Sequence, residues 1–300
     1  MPDDADDLPI PYMARTRAYY QALGYQEPYR WAHFADVPFT PLRKLLRKCR
    51  IGLVTTAAPY DSTRGEQGPG APYNAAAKFH RVYAHSVEGS PDVRIAHVTY
   101  DRTHTTAEDQ NSWFPLAQLK RRAAVSRITV VAPRFYGVPT TRSQRTTLEQ
   151  DAPDLLAAMR DDGVDAAVLV PNCPVCHQTI SLAARHLEAA GIPTVIMGCA
   201  KDIVEHAGVP RFLFSDFPLG NAAGKPHDEE SQSTTLGIAL ELLQHAEEPR
   251  TTLRSPLRWS DDPSWKRDFD NIEKLSPAEL ARLRAEHEAH RAIARAGRAP

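Results

Sequence analysis

The stretch AAVLVPNCPVCHQTISLAARHLEAAGIPTVIMG, from Ala166 to Gly198, decides the fold. AAVLV (166–170) is a continuous apolar run of β-forming length, and TVIMG (194–198) is a second. Unbroken rather than alternating apolar character suits strands buried on both faces. Between them Ile180, Ala183, Ala184, Leu187 and Ala190 recur at helical spacing over 175–190, and Gly191 stands where a helix C-terminus wants a residue free to adopt positive φ. Strand, helix, strand with a short return is a βαβ unit, which pairs its strands in parallel.

Similar runs lie on either side: IGLVTT (51–56), RIAHVTY (94–100), ITVVAP (128–133) and RFLFSD (211–216). A helical pattern over 145–161, with Leu148, Ala152, Leu155, Leu156 and Met159, separates two of them, and another over 231–245 follows the last. This alternation predicts an α/β fold: a mostly parallel, doubly wound sheet with helices on both faces. Residues 1–45 read as an aromatic N-terminal arm with a short helix near 14–23, residues 46–250 as the α/β catalytic domain, and residues 251–300 as an extension. The extension ends in a charged helix that Ser276, Pro277 and Glu279 would start. The basic run Arg43–Arg50 reads as a solvated helix face. The glycine- and proline-rich stretch 57–78 is a long loop, of the kind that either covers a substrate or makes a surface excursion.

With 36 basic and 37 acidic residues in 300, the net charge of −1 offers no reason to expect nucleic acid or an anionic membrane as a partner. No apolar run approaches the ~20 residues of a membrane span. The opening MPDDADDLPIPY lacks the basic and apolar regions of a secretory signal. A cytoplasmic location is the expectation.

Four cysteines, at 49, 173, 176 and 199, are too few for a disulfide scaffold. Cys173-Pro174-Val175-Cys176 follows the strand 166–170, with Pro174 favoured at the first helical position. That places Cys173 at the helix N-cap and Cys176 one turn on, at the carboxyl end of a parallel strand, where open α/β sheets bind ligands. Free N–H groups and the helix dipole there favour a thiolate at Cys173. The pair admits redox or nucleophilic chemistry, metal ligation with a histidine such as His104 or His177, or a merely structural role. A two-thiol acid–base pairing of the racemase kind would need Cys199 as the opposed thiol.

Other polar residues gather after the expected strands. Asp101, His104, Asp109 and Asn111 follow the run 94–100, and Asp216 and Asn221 follow 211–216. Each is also an ordinary turn residue. His104 or His177 is a candidate proton donor. Arg142 and Arg145 are candidates for holding an anionic substrate group, and Asp109, Asn111, Asn172, Asp216 and Asn221 for shaping its pocket. No glycine-rich nucleotide fingerprint is present, so the expected electron source is a thiol reductant.

Three blocks in this order, THTTAEDQNSWFPLAQLKR (103–121), VPNCPVCHQTISLAARHLEAAGIPTV (170–195) and FPLGNAAGKP (217–226), resemble the selenoprotein B family of glycine, sarcosine and betaine reductases and the related D-proline reductase subunit. The resemblance runs from about 50 to 245. It implies reductive cleavage of a bond at the carbon next to a carboxylate, in which a selenocysteine attacks the α-carbon, releases the amine and leaves a selenoether for partner proteins to resolve. Cys173 and Cys176 occupy the family's selenocysteine and cysteine motif, and this chain has no selenocysteine. The expectation is therefore a cysteine-dependent reductase cleaving a carbon–heteroatom bond of a small molecule. Cys173 would attack and Cys176 or an external thiol resolve, with a thiol reductant protein as a partner and self-association into a homo-oligomer. The competing expectation is a zinc or iron protein with Cys173, Cys176 and His104 as ligands.

Overall fold

A computed structural model describes residues 8–68, 71 and 73–296. The acidic opening at 1–7, residues 69, 70 and 72 of the long loop, and 297–300 lie outside the described residues.

At the centre is β1 (Arg50–Thr55), with β5 (Val130–Val131) and β6 (Arg134–Gly137) along one edge and β7 (Ala166–Val170) along the other, all parallel. Beyond β7 follow β8 (Thr194–Gly198), β9 (Arg211–Phe214) and β10 (Thr251–Arg254), again in parallel, and β3 (Tyr83–Ser86) closes the opposite side antiparallel to β6. The chain starts in the middle, steps one way to β5 and β6, then crosses back over β1 to β7. That reversal creates a crevice at the carboxyl ends of β1 and β7.

The period-2 geometry of a strand sends successive side chains to opposite faces. In β7, Ala166, Val168 and Val170 join one core, and Ala167 and Leu169 the other. The first core takes α2 (Leu116–Ala124) and α7 (Glu229–His245), and the second takes α4 (Ala152–Asp161) and α5 (Pro174–Ala189). Each fully buried Leu or Ile in these layers contributes about 1.5–3 kcal/mol of transfer free energy. α6 (Lys201–Ala207) sends Ile203 to the first core and Val204 to the second. The expected mostly parallel, two-faced α/β sheet is what the chain forms.

α5 is buried on nearly every side, polar residues included, because the N-terminal segment wraps its outer face. α1 (Tyr12–Ala22) leads into this extended wrap. Gln178 accepts from the Ala32 N–H at 2.8 Å, Arg185 donates to the Asp36 carbonyl at 2.8 Å, and Glu188 accepts from the Thr40 N–H at 2.6 Å. Glu188 also pairs with Arg211 at 2.8 Å, both side chains without exposure. Gly191, at φ +90°, turns the chain from α5 towards β8 as its position suggested.

Three readings need correction. Of the run 94–100 only Arg94 is in a strand, the two-residue β4 (Val93–Arg94), paired with the two-residue β2 (Ala58–Pro59) outside the main sheet; the remainder is loop and turn. Side-chain anchoring replaces the ladder there, with His97 bonded to Thr56 and Arg102 to the His97 carbonyl. The basic run 43–50 is no helix face but extended chain with a single 3-10 turn, Leu46–Lys48, leading into β1. The helix over 145–161 is composite: α3 (Gln144–Thr146) passes through a π-helical segment, Thr147–Asp151, into α4.

The C-terminal α8 (Pro277–Ala296) packs back on its own chain, with His287 against Tyr25 and His290 against Tyr73. Among the described residues no helix is long and apolar enough to cross a membrane.

Candidate functional site

β7 runs out at Val170, and Pro171 and Asn172 carry the chain over the crevice to Cys173, the N-cap of α5. Pro174 occupies the first helical turn, and Cys173 Sγ accepts the orphan N–H of Cys176 at 3.1 Å. In this structure the two sulfurs are joined as a disulfide. Cys176 is fully buried and accepts from the Thr140 hydroxyl at 3.3 Å. Cys173 is also buried, but it alone of the pair lines a cleft of about 590 Å³.

Several chain segments meet at that cleft. The loop after β6 supplies Thr140 and Arg142, the loop before α2 supplies His97, and α8 supplies His287 and Arg291. Arg142, Arg291 and Lys78 give the cleft a cationic wall, and no carboxylate stands among its described lining residues. Arg142 lies 4.3 Å over the Tyr20 ring and donates to the Tyr25 hydroxyl at 2.8 Å, so its guanidinium is held in place. Burial, helped by Arg142, Arg291 and His290, pushes His287 down to about 4. Fixed positive charge facing a sulfur pair suits a small anionic substrate.

His97 is the histidine beside the sulfurs: one of its ring nitrogens, Cys173 Sγ and Cys176 Sγ lie within 4.8 Å of one another. A carbonyl oxygen can only accept, so His97 Nε2 carries the hydrogen it donates to Thr56 O at 2.7 Å, and Nδ1 keeps a lone pair. Burial drives its imidazole down to about 3, and it is neutral at physiological pH. The N–H of Asn172 donates to the Thr56 hydroxyl at 3.1 Å, tying β7's exit to β1's. The Asn172 side chain is fully buried, and neither amide atom has a partner among the described residues.

His177 is a brace. Its Nδ1 donates to the Cys173 carbonyl at 2.7 Å, while Nε2 accepts from the backbone N–H groups of Cys199 at 3.0 Å and Ala200 at 3.2 Å. That fixes a neutral tautomer, and burial holds the ring down to about 4. The ring thereby locks the start of α5 to the end of β8. Cys199 does not line the cleft, and burial pushes its thiol up to about 12.

The remaining sequence candidates form a separate structure. His104 sits 2.9 Å from Asp101 and 3.6 Å from Asp268, edge-on to Trp265, and does not line the cleft. Asp109 accepts from the Asn111 N–H, the Asn111 amide, the His227 N–H and Gln232. Burial works to raise Asp109, yet these hydrogen bonds hold it below the ordinary carboxylate range. Asn221, fully buried, donates to the Pro218 carbonyl and accepts from Ser112 and Thr105. Gly220, at φ +105°, lets Tyr100 pass where a Cβ would stand 1.9 Å from its ring. The 103–121 block thus clasps the 217–226 block through Asn221, and the residues just beyond it through Asp109. Asp216 is bound by Lys266 and Arg254, and Arg145 is solvent-exposed beside Glu149. Of the eleven residues singled out, Cys173, Cys176, His177, Asn172 and Arg142 meet at the crevice.

His97, Thr140, Lys78 and the α8 residues were not foreseen. His97 lay hidden inside an apolar run read as strand. His287, His290 and Arg291 do carry a signal, since their spacing places all three on one helical face.

The chain is similar to the D-proline reductase subunit gamma of Acetoanaerobium sticklandii, 26% identical over 206 residues, covering 68% of this chain and 82% of the relative. It is likewise similar to the glycine reductase complex component B subunit gamma of Carboxydothermus hydrogenoformans, 26% identical over 205 residues, which is 66% of this chain but 45% of that protein's length. Both are subunits of reductases, in agreement with the resemblance seen in the three sequence blocks. No family model matches the chain. No solved structure matches it either.

Proposed function

We propose that this chain, a relative of the selenoprotein B-like reductase subunits, is a thiol-dependent reductase component that cleaves a carbon–heteroatom bond next to the carboxylate of a small substrate. The observation that carries the reading is the Cys173–Cys176 disulfide at the sheet's crossover crevice, with Cys173 facing a cleft lined by Arg142, Lys78 and Arg291. Arg142 and its neighbours bind the carboxylate and aim the adjacent carbon at Cys173. In the reduced protein the Cys173 thiolate, supported by the Cys176 N–H at the helix start, displaces the leaving group and forms a carbon–sulfur bond. The Cys176 thiolate then attacks Cys173 Sγ. The carbon–sulfur pair of electrons leaves on carbon as a carboxylate-stabilised carbanion, which takes a proton. The balance is one carbon–heteroatom bond and two thiols consumed, with one carbon–hydrogen bond, one protonated leaving group and one disulfide formed. An external dithiol, as substrate or partner protein, regenerates the pair.

The test is single turnover of the prereduced protein with small α-substituted carboxylates, followed by intact-mass spectrometry. Disulfide should appear in proportion to leaving group released. Cys176→Ser should stop with the substrate's carbon skeleton on Cys173, and Cys173→Ser should release nothing. Leaving-group release by Cys173→Ser at the wild-type rate would overturn the proposal.

A further inference from the structure

A second chemistry is available to the same sulfurs once they are reduced. Two thiol sulfurs and an imidazole nitrogen lie within 4.8 Å of one another, all three residues buried. A tetrahedral ion with metal–sulfur bonds of ~2.3 Å and a metal–nitrogen bond of ~2.0 Å wants its donors roughly 3.5–3.8 Å apart. Opening the disulfide lets the sulfurs part to that spacing without moving α5, since N-cap and third helical residue already face the same side. His97 is partnered as metal-binding histidines habitually are: its Nε2–H is spent on the Thr56 carbonyl at 2.7 Å, a second-sphere hydrogen bond, and Nδ1 keeps the lone pair that a metal would take. The fourth position opens on the cleft, because Cys173 and His97 both line it.

We infer that the reduced Cys173, Cys176 and His97 form a site for one zinc-class divalent cation, three protein ligands closing it and the cleft side left open. Two thiolates neutralise the ion, so the cationic wall of the cleft is no obstacle and favours an anion as fourth ligand. Thiolate and imidazole donors select this class over magnesium or calcium. The metal form and the disulfide are mutually exclusive, as the ion engages the sulfur electron pairs that a disulfide or a nucleophilic attack requires. The site concerns binding alone and stands whether or not the reductive chemistry does.

The experiment is anaerobic titration of the reduced full chain with zinc against a chromophoric chelator, repeated with cobalt for its visible spectrum. One equivalent should bind to the reduced protein and none to the disulfide form. Cobalt should give the intense bands of tetrahedral coordination with thiolate charge transfer. Cys176→Ser should abolish binding, His97→Ala should weaken it at least tenfold, and His104→Ala should leave it unchanged. If His97→Ala does not fold, histidine ligation is read instead from zinc-edge X-ray absorption of the wild type. Absence of stoichiometric zinc on the reduced protein, binding undiminished in folded His97→Ala, or an absorption spectrum without imidazole would each overturn the inference.

Discussion

Replacing His177 by asparagine in the disulfide-intact protein should cost less stability at acid pH than at neutral pH. The asparagine amide can still donate to the Cys173 carbonyl but cannot reach the N–H groups of Cys199 and Ala200, which His177 Nε2 accepts at 3.0 and 3.2 Å. Leaving two buried donors unpaired costs about 2–4 kcal/mol. That is the expected loss at pH 7.5, where the wild-type ring is neutral in both folded and unfolded chains. Burial holds the native ring at about 4, against an unfolded value of ~6.5. Between those values the unfolded chain carries the extra proton, so acidification favours unfolding of the wild type by about 1.4 kcal/mol per pH unit. The variant has no such group. From pH 7.5 to pH 5 the wild type therefore gives up about 2 kcal/mol that the variant keeps, and the gap between them shrinks by that amount. The raw profile conceals this, because buried carboxyls act in the opposite direction. Burial raises Asp270 to about 7 and Asp151 and Asp202 to about 6, and each binds its proton in the native state first. Those contributions are common to both proteins and cancel in the difference. Urea unfolding of the pair at pH 7.5, 6 and 5 measures it. A gap constant across that range refutes the neutral-brace account of His177.

Three further outcomes follow from the same packing. Glu188→Gln strands the Arg211 guanidinium without its charge partner in a place with no exposure, and should cost about 3–5 kcal/mol by chemical denaturation; the Glu188→Gln, Arg211→Met double variant should recover much of that. Gly198→Ala sets a methyl 2.9 Å from the His177 ring and 3.1 Å from Phe212, and the ring, pinned by three hydrogen bonds, has nowhere to retreat. A loss of about 1–3 kcal/mol in the midpoint-derived stability is expected. Arg142→Gln removes a charge-assisted contact worth about 1.5–3 kcal/mol, so KM for a carboxylate substrate should rise at least tenfold with the fold intact by circular dichroism.

What could be read in advance follows the range of the interactions. The sheet was legible because β1, β7, β8 and β9 are each continuous apolar runs, and a run buried on both faces announces itself without knowledge of its neighbours. The cysteine pair was legible for the same reason, its N-cap geometry being set within four residues. β3 escaped notice because it is an edge strand only half buried, at Tyr83 and Ala84, with His85 and Ser86 exposed. The run 94–100 misled in the other direction. Its apolar residues are committed to packing and anchoring a loop, and periodicity over seven residues cannot tell those two uses apart.

The polar candidates divide along a sharper line. Asp109, Asn111 and Asn221 look like site residues by composition, yet their hydrogen-bonding capacity is absorbed by one another's loops, by Ser112, Gln232 and the His227 N–H. A polar residue in a strand-end loop is free for chemistry only when no second loop claims it, and that depends on which loops the strand order brings together. β1 and β7 are adjacent only because the chain doubles back, so Thr56 after β1 meets Asn172 after β7, and His97, bonded to Thr56, and Thr140, from the loop after β6, become neighbours of Cys173 and Cys176. Arg291 of α8 arrives from still further away, more than a hundred residues beyond Cys173, on a helix whose own sequence reads as solvated. The crevice can therefore be located from strand order and the N-cap motif alone, whereas its charge comes from elements that only the folded chain assembles.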